Sequence, residues 1–137
     1  MSLNKDLIGK LINVTSKAAV ACYRHVGKKN KKIADKEATD SMRKNLNFLD
    51  IKGKVVIGEG ELDEAPMLFI GENLGTGKGP VIDIAVDPLE GTNFVANNLP
   101  GALSVIAIAE EGNLFHAPET YMDKIAVSKD VPYDAID

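Results

Sequence analysis

The chain has 137 residues, 45% of them hydrophobic and 26% charged, with a formal net charge of −4. That length suits one domain or part of a larger one, and the apolar content excludes a disordered chain. The acidic balance argues against nucleic acid as the main partner, because nucleic-acid-binding domains are usually basic.

Residues 3–26 place Leu7, Leu11, Val14, Ala18, Cys22 and Val26 at steps of three and four, with Ile8, Ile12 and Ala19 alongside. That spacing predicts a helix, and Gly27 is its expected C-terminal stop. Lys5, Asp6 and Lys10 break the apolar pattern at the start, so it does not read as a signal peptide. No run approaches the roughly 18 apolar residues of a transmembrane helix. Cys22 is the single cysteine, which excludes a disulfide framework within one chain. A reducing, cytoplasmic setting is expected, with no membrane partner.

Lys28 to Lys32 reads as a basic loop. Ala38, Met42, Leu46 and Leu49 then predict a second helix over 36–49, with Asp35 at its N-cap. Gly53 opens the β-branched strand Lys54-Val55-Val56-Ile57, which runs into Gly58-Glu59-Gly60-Glu61. Ala65 to Glu72 is apolar and reads as a short helix with Pro66 in its first turn. Gly75 to Gly79 is a turn. Val81 to Val86 is the next strand, ending on Asp87-Pro88. Residues 102–109 form a third strand, apolar enough to be buried on both faces. Leu114-Phe115 is its expected hairpin partner, and Lys124 to Val127 one more strand. Helices followed by strands, without strict βαβ alternation, indicate an α+β layered domain.

Two strands end in acidic loops, the first carrying Glu59, Glu61, Asp63 and Glu64, the second Asp87 and Glu90. Crowded carboxylates raise one another's pKa, and a divalent cation removes that penalty. Hard oxygen donors suit magnesium or manganese better than zinc. In Asp87-Pro88-Leu89-Glu90, proline stiffens the turn, acids three apart converge on one ion, and the Leu89 carbonyl is a further donor. Gly91 permits close approach of a ligand, and Thr92 and Asn93 begin a helix whose free N–H groups attract phosphate. Metal and anion sites side by side are what phosphate-ester hydrolysis requires. The plainer reading is a turn at Asp87-Pro88 with Thr92 as an N-cap; Glu59 at the end of a neighbouring strand weighs against it.

Asp87-Pro88-Leu89-Glu90-Gly91-Thr92 resembles the Asp-Pro-(apolar)-Asp-Gly-Thr signature of the lithium-sensitive, metal-dependent phosphatase superfamily, with Glu90 in place of the second Asp. That variant, with the stretch from Val56 to Leu68, is similar to class II bacterial fructose-1,6-bisphosphatases. Lys31 to Asp35, Asp83 to Val86 and Ala117 to Met122 match as well. The resemblance implies a layered α/β sandwich of the sugar-phosphatase type and Mg2+ or Mn2+ as cofactor. It implies hydrolysis of the 1-phosphate of fructose 1,6-bisphosphate to fructose 6-phosphate, a step of gluconeogenesis. Some relatives in that family also hydrolyse sedoheptulose 1,7-bisphosphate.

By position, the resemblance makes Asp35 and Glu59 ligands of one metal, and Asp87 and Glu90 ligands of a second, with the Leu89 carbonyl assisting. Glu90, Gly91 and Thr92 hold the scissile phosphate, Tyr121 and Lys31 contact substrate, and Lys31 and Asp63 lie near the reacting centre. Thr92, Asp63 and Asp35 are the implied catalytic residues: the Thr92 hydroxyl, oriented by Asp35, takes the proton of the attacking water. Family members are considerably longer. The expectation is therefore that residues 1–137 are an N-terminal metal- and phosphate-binding domain, the C-terminal half being absent, and that the chain forms a homo-oligomer.

Other features carry less. Gly75-Thr76-Gly77-Lys78-Gly79 lacks the spacing of a phosphate-binding loop. The lysine run Lys28, Lys29, Lys31, Lys32 lacks the interleaved aromatics of a nucleic-acid site. His25 reads as a helix-end cap, His116 as a surface residue and Cys22 as a small core residue. Two other readings stand beside the bisphosphatase: an inositol-monophosphatase-like enzyme acting on another ester, and a non-catalytic fragment that binds metal or a partner.

Overall fold

The computed structural model describes residues 5–59, 67–115, 123, 125–132 and 135. Helix α1 spans Lys5–Tyr23 and α2 spans Lys31–Leu46; strand β1 spans Lys52–Ile57, β2 Asn73–Leu74 and β3 Val81–Glu90; α3 spans Thr92–Ala96 and β4 spans Leu103–Glu110. The strands form one sheet in the order β2-β1-β3-β4. β1 and β3 are parallel, while β2 and β4 pair antiparallel to their neighbours. The α+β layered architecture is thus as expected.

The core follows from the two periodicities. Leu7, Leu11, Val14, Ala18 and Cys22 line the buried stripe of α1, and Ala34, Ala38, Met42 and Leu46 that of α2. The two helices pack against each other and both rest on β3, so they cover the same face of the sheet. Alternate residues of β3, Ile82, Ile84 and Val86, enter the shared core from below. Asp83 sits between them, nearly buried, and its Oδ2 accepts the N–H of Gly112 at 2.7 Å and of Leu114 at 3.5 Å, fastening the turn after β4.

Several expectations are corrected. α2 begins at Lys31, not at residue 36, because the Asn30 side chain caps it by accepting the Ile33 N–H at 3.2 Å. Lys31 and Lys32 are therefore helical, and Asp35 is an interior residue rather than the cap. Residues 67–72 form turns and not a helix; Arg43 of α2 holds this segment by its hydrogen bond to the Met67 carbonyl and its ion pair with Glu72 at 2.7 Å. β3 does not end at Asp87-Pro88 but continues to Glu90. β4 is not buried on both faces: it is the edge of the sheet, with Leu103 60% and Val105 43% exposed. Leu114 and Phe115 form no strand, nor do residues 125–127, while Lys124 lies outside the described residues.

Gly75 to Gly79 is a loop folded over the link between α2 and β1, with the Thr76 N–H donating to the Leu49 carbonyl at 2.9 Å. Gly75 and Gly79 both have positive φ, and a Cβ on either would meet main-chain oxygen of Ile51 or Asp50. Close backbone packing explains these glycines without a ligand.

Candidate metal and phosphate site

The candidate acids reach the site by two routes. Glu59 follows β1 across Gly58, where a Cβ would lie 2.3 Å from the Leu68 carbonyl oxygen, so only glycine fits. The Glu59 N–H then donates to that same carbonyl at 2.9 Å. The 67–72 segment providing it is the one Arg43 pins to α2, the helix that carries Asp35. Arg43, Glu72 and Gly58 thus fix the relation of Glu59 to the helix of Asp35. Sequence reasoning missed them: nothing in the spacing of Arg43 and Glu72 announces a pair, although a glycine directly before a candidate ligand was a usable signal.

Asp87, Glu90, Gly91 and Thr92 come instead from one continuous stretch. Asp87 pairs with Val105 and Glu90 with Leu103, so three steps on β3 match two on β4 and the register shifts between them. This bulge, with buried Pro88 and Leu89, replaces the expected proline turn. The Asp87 Oδ1 accepts the Leu89 N–H at 3.0 Å, which aims the carboxylate along the bulge. Gly91, at φ 83°, is the N-cap of α3, and Thr92 is the first helical residue rather than the cap. α3 is only five residues long, so any anion there would meet its leading N–H groups more than a macrodipole. The Gly27 N–H bonds the Val95 carbonyl at 2.8 Å and the Lys29 N–H the Ala96 carbonyl at 2.9 Å, strapping α3 to the α1–α2 connection. α3 also packs on α2.

The electrostatics agree with a crowded acidic site. Burial, and then the hydrogen bond and charge of Glu90, push the Asp87 carboxyl up to about 6, against the opposing effects of the Leu89 N–H and Glu59. Glu90 and Glu59 both act on the Asp87 carboxyl, so the two routes end near one another. Burial alone pushes Asp35 up. Its Oδ1 is buried with no hydrogen-bond partner, an expensive state for a carboxylate oxygen. Among the described residues, no three His, Cys, Asp or Glu side chains are gathered into a ready metal-holding group; the acid contacts are pairwise. Lys31 is exposed in the first turn of α2, one turn before Asp35. Asp63, Tyr121, Glu61, Glu64 and His116 lie outside the described residues.

These donors fit a hard divalent cation. All are oxygens, one buried carboxylate oxygen lacks a protein partner, and Asp87 and Glu90 face each other with like charge. The fold and site define an α+β protein whose strand ends carry paired acids beside a glycine-led helix start. Its sequence is matched over residues 5–137 by the family described as bacterial fructose-1,6-bisphosphatase, glpX-encoded, and the chain belongs to that family. Such enzymes are metal-dependent in general. The chain is 48% identical over 124 residues to a protein of Prochlorococcus marinus (strain AS9601) named D-fructose 1,6-bisphosphatase class 2/sedoheptulose 1,7-bisphosphatase, covering 90% of this chain and 37% of that one. Proteins of the same name from Synechococcus sp. (strain CC9902) and P. marinus (strain MIT 9303) are 48% and 47% identical over the same shares. The chain spans little more than a third of the length of these curated relatives.

Proposed function

We propose that these residues form the metal- and phosphate-binding portion of a bisphosphatase that removes the 1-phosphate of fructose 1,6-bisphosphate with Mg2+ or Mn2+, as a cytoplasmic enzyme of sugar metabolism. The observation that carries this is the buried Asp35 carboxylate oxygen without a partner, together with the Asp87–Leu89 turn that leads into Glu90, Gly91 and Thr92, within a chain of this family. Asp35 and Glu59 would hold one cation, and Asp87, Glu90 and the Leu89 carbonyl a second. Bound there, the metal would supply charge neutralisation and a more acidic water.

The chain's own groups do the rest. Glu90, Gly91 and Thr92 receive the scissile phosphate at the start of α3, which Gly91 leads without a side-chain cap. The Thr92 hydroxyl takes the proton of the incoming water as its own proton passes to the Asp35 carboxylate that orients it, with Asp63 near the reacting centre. Lys31 and Tyr121 contact the substrate. Phosphoryl transfer needs mainly positioning and charge neutralisation, so no covalent nucleophile is invoked. Sedoheptulose 1,7-bisphosphate is a second substrate in this reading, favoured by the double name of the relatives.

The test is phosphate release from each bisphosphate by this chain, with and without Mn2+. Release that depends on Mn2+ and drops at least about 100-fold in Glu59→Gln supports the assignment; near-normal turnover in Glu59→Gln removes it. Mn2+ binding without release supports a non-catalytic portion. No helix among the described residues is long and apolar enough to cross a membrane. Homo-oligomerisation is part of the proposal, supported by the exposed apolar residues Ile8 and Ile12 on α1 and Leu103 and Val105 on β4; a strictly monomeric profile in sedimentation velocity removes it.

A further inference from the structure

Lys31, Asp35 and Thr39 are spaced by four on α2 and share one helix face. Along that face the residues sink from solvent into the core: Lys31 is exposed, Asp35 partly buried, and Thr39 only 1% exposed. Thr39 sits among apolar neighbours, beside Ala38 and Met42 on the buried stripe, where valine would fill the same volume. Its hydroxyl Oγ1 is buried and has no hydrogen-bond partner. A threonine within a helix ordinarily bonds the carbonyl three or four residues back, and Thr39 does not. An unpaired buried hydroxyl is destabilising, so it calls for a partner.

The geometry supplies one. Helical side chains lean toward the N-terminus and cover the turn before their own Cα. For Thr39 that is the turn of Asp35, whose Oδ1 is itself buried and without a partner. A hydroxyl can donate and a carboxylate can only accept, so the two orphaned atoms are chemically complementary, and Cβ atoms four apart on a helix lie about 5–6 Å from each other. That spacing admits a direct hydrogen bond after rotation of the threonine, or one bridging water.

We propose that Thr39 is a positioning residue for Asp35, its hydroxyl donating directly or through one water to the carboxylate and orienting it toward the metal. The inference rests on the reading of Asp35 as a metal ligand. Outer-shell donors of this kind orient ligating groups, and their loss weakens metal binding about 10–100-fold.

The test uses the full chain with Mn2+ as the probe, measured calorimetrically, and the variants Thr39→Val, Thr39→Ser and Asp35→Asn. Thr39→Val weakens Mn2+ binding about tenfold, Thr39→Ser restores it, and Thr39→Val adds nothing in the Asp35→Asn background. Thermal midpoints without metal give an independent readout, in which the effects of Thr39→Val and Asp35→Asn are non-additive. Wild-type Mn2+ affinity in Thr39→Val, with a raised metal-free midpoint, overturns the proposal: the hydroxyl is then only an unsatisfied stand-in for valine. If Asp35→Asn leaves Mn2+ binding intact, the ligand role of Asp35 falls instead. The metal-free midpoints still decide the contact, and additive values overturn it.

Discussion

The two halves of the candidate site are built on opposite principles. Asp87 to Thr92 lies on one unbroken stretch, so the chain itself sets the spacing of its groups. Asp35 and Glu59 sit on separate elements, joined through Arg43, Glu72 and the Leu68 carbonyl. The first half is local and readable as a motif; the second exists only once α2, β1 and the 67–72 segment have packed. The motif half carries the strain of like charges, while the assembled half carries the structural dependence.

Perturbations should therefore separate them. The largest stability effect is expected from Gly58→Ala. Its Cβ would meet the Leu68 carbonyl and Val55, costing about 3 kcal/mol in urea unfolding. It should displace Glu59 while leaving the Asp87–Leu89 turn intact, seen as weakened Mn2+ binding with an unchanged β3–β4 hydrogen-exchange pattern. Arg43→Met comes next, at about 2 kcal/mol, because it leaves the mostly buried Glu72 without its cation. Equal protection changes in both halves would break the comparison.

The smallest effect belongs to the motif half and depends on pH. The folded Asp87 carboxyl titrates at about 6, above its ordinary value of 3.8. Between those values the folded state keeps a proton that the unfolded state has released, so metal-free stability falls as pH rises from about 4 to about 6. With solvent screening the loss is about 1 kcal/mol. Asp87→Asn should flatten this part of the profile and stabilise the metal-free chain at neutral pH, while weakening Mn2+ binding. A steeper loss in Asp87→Asn would reverse the assignment. Cation should raise the wild-type melting temperature more at pH 7.5 than at pH 5.

The same division explains what the sequence disclosed. Leu7 to Cys22 at helical spacing and the β-branched runs gave α1, β1 and β3, because each buries a pattern visible locally. The start of α2 was misplaced because Lys31 and Lys32 look like a solvated loop, and only Asn30 turning its side chain onto Ile33 shows otherwise. The segment before Glu72 is apolar enough for a helix, yet its carbonyls serve Arg43 and Glu59. β4 reads as fully buried because apolar composition cannot say whether a second layer covers it. Asp87 to Thr92 stands out as a candidate site from its residue types alone. The hydroxyl of Thr39 does not, since a threonine in an apolar stripe passes for a small core residue.

The bulge in β3 has one further consequence, a matter of parity. In a regular strand, residues an odd number of places apart point to opposite sides of the sheet, so Asp87 and Glu90 would be kept apart by the pleat. Because β3 carries one residue more than β4 between these two pairs, the odd separation acts as an even one and brings the two acids to the same side. Deleting either Pro88 or Leu89 would leave the composition of the acids untouched and give the sheet a cleaner ladder. By the same parity the two acids, then two places apart, would still share a face; what the deletion would disturb is the Asp87–Leu89 turn that aims the Asp87 carboxylate.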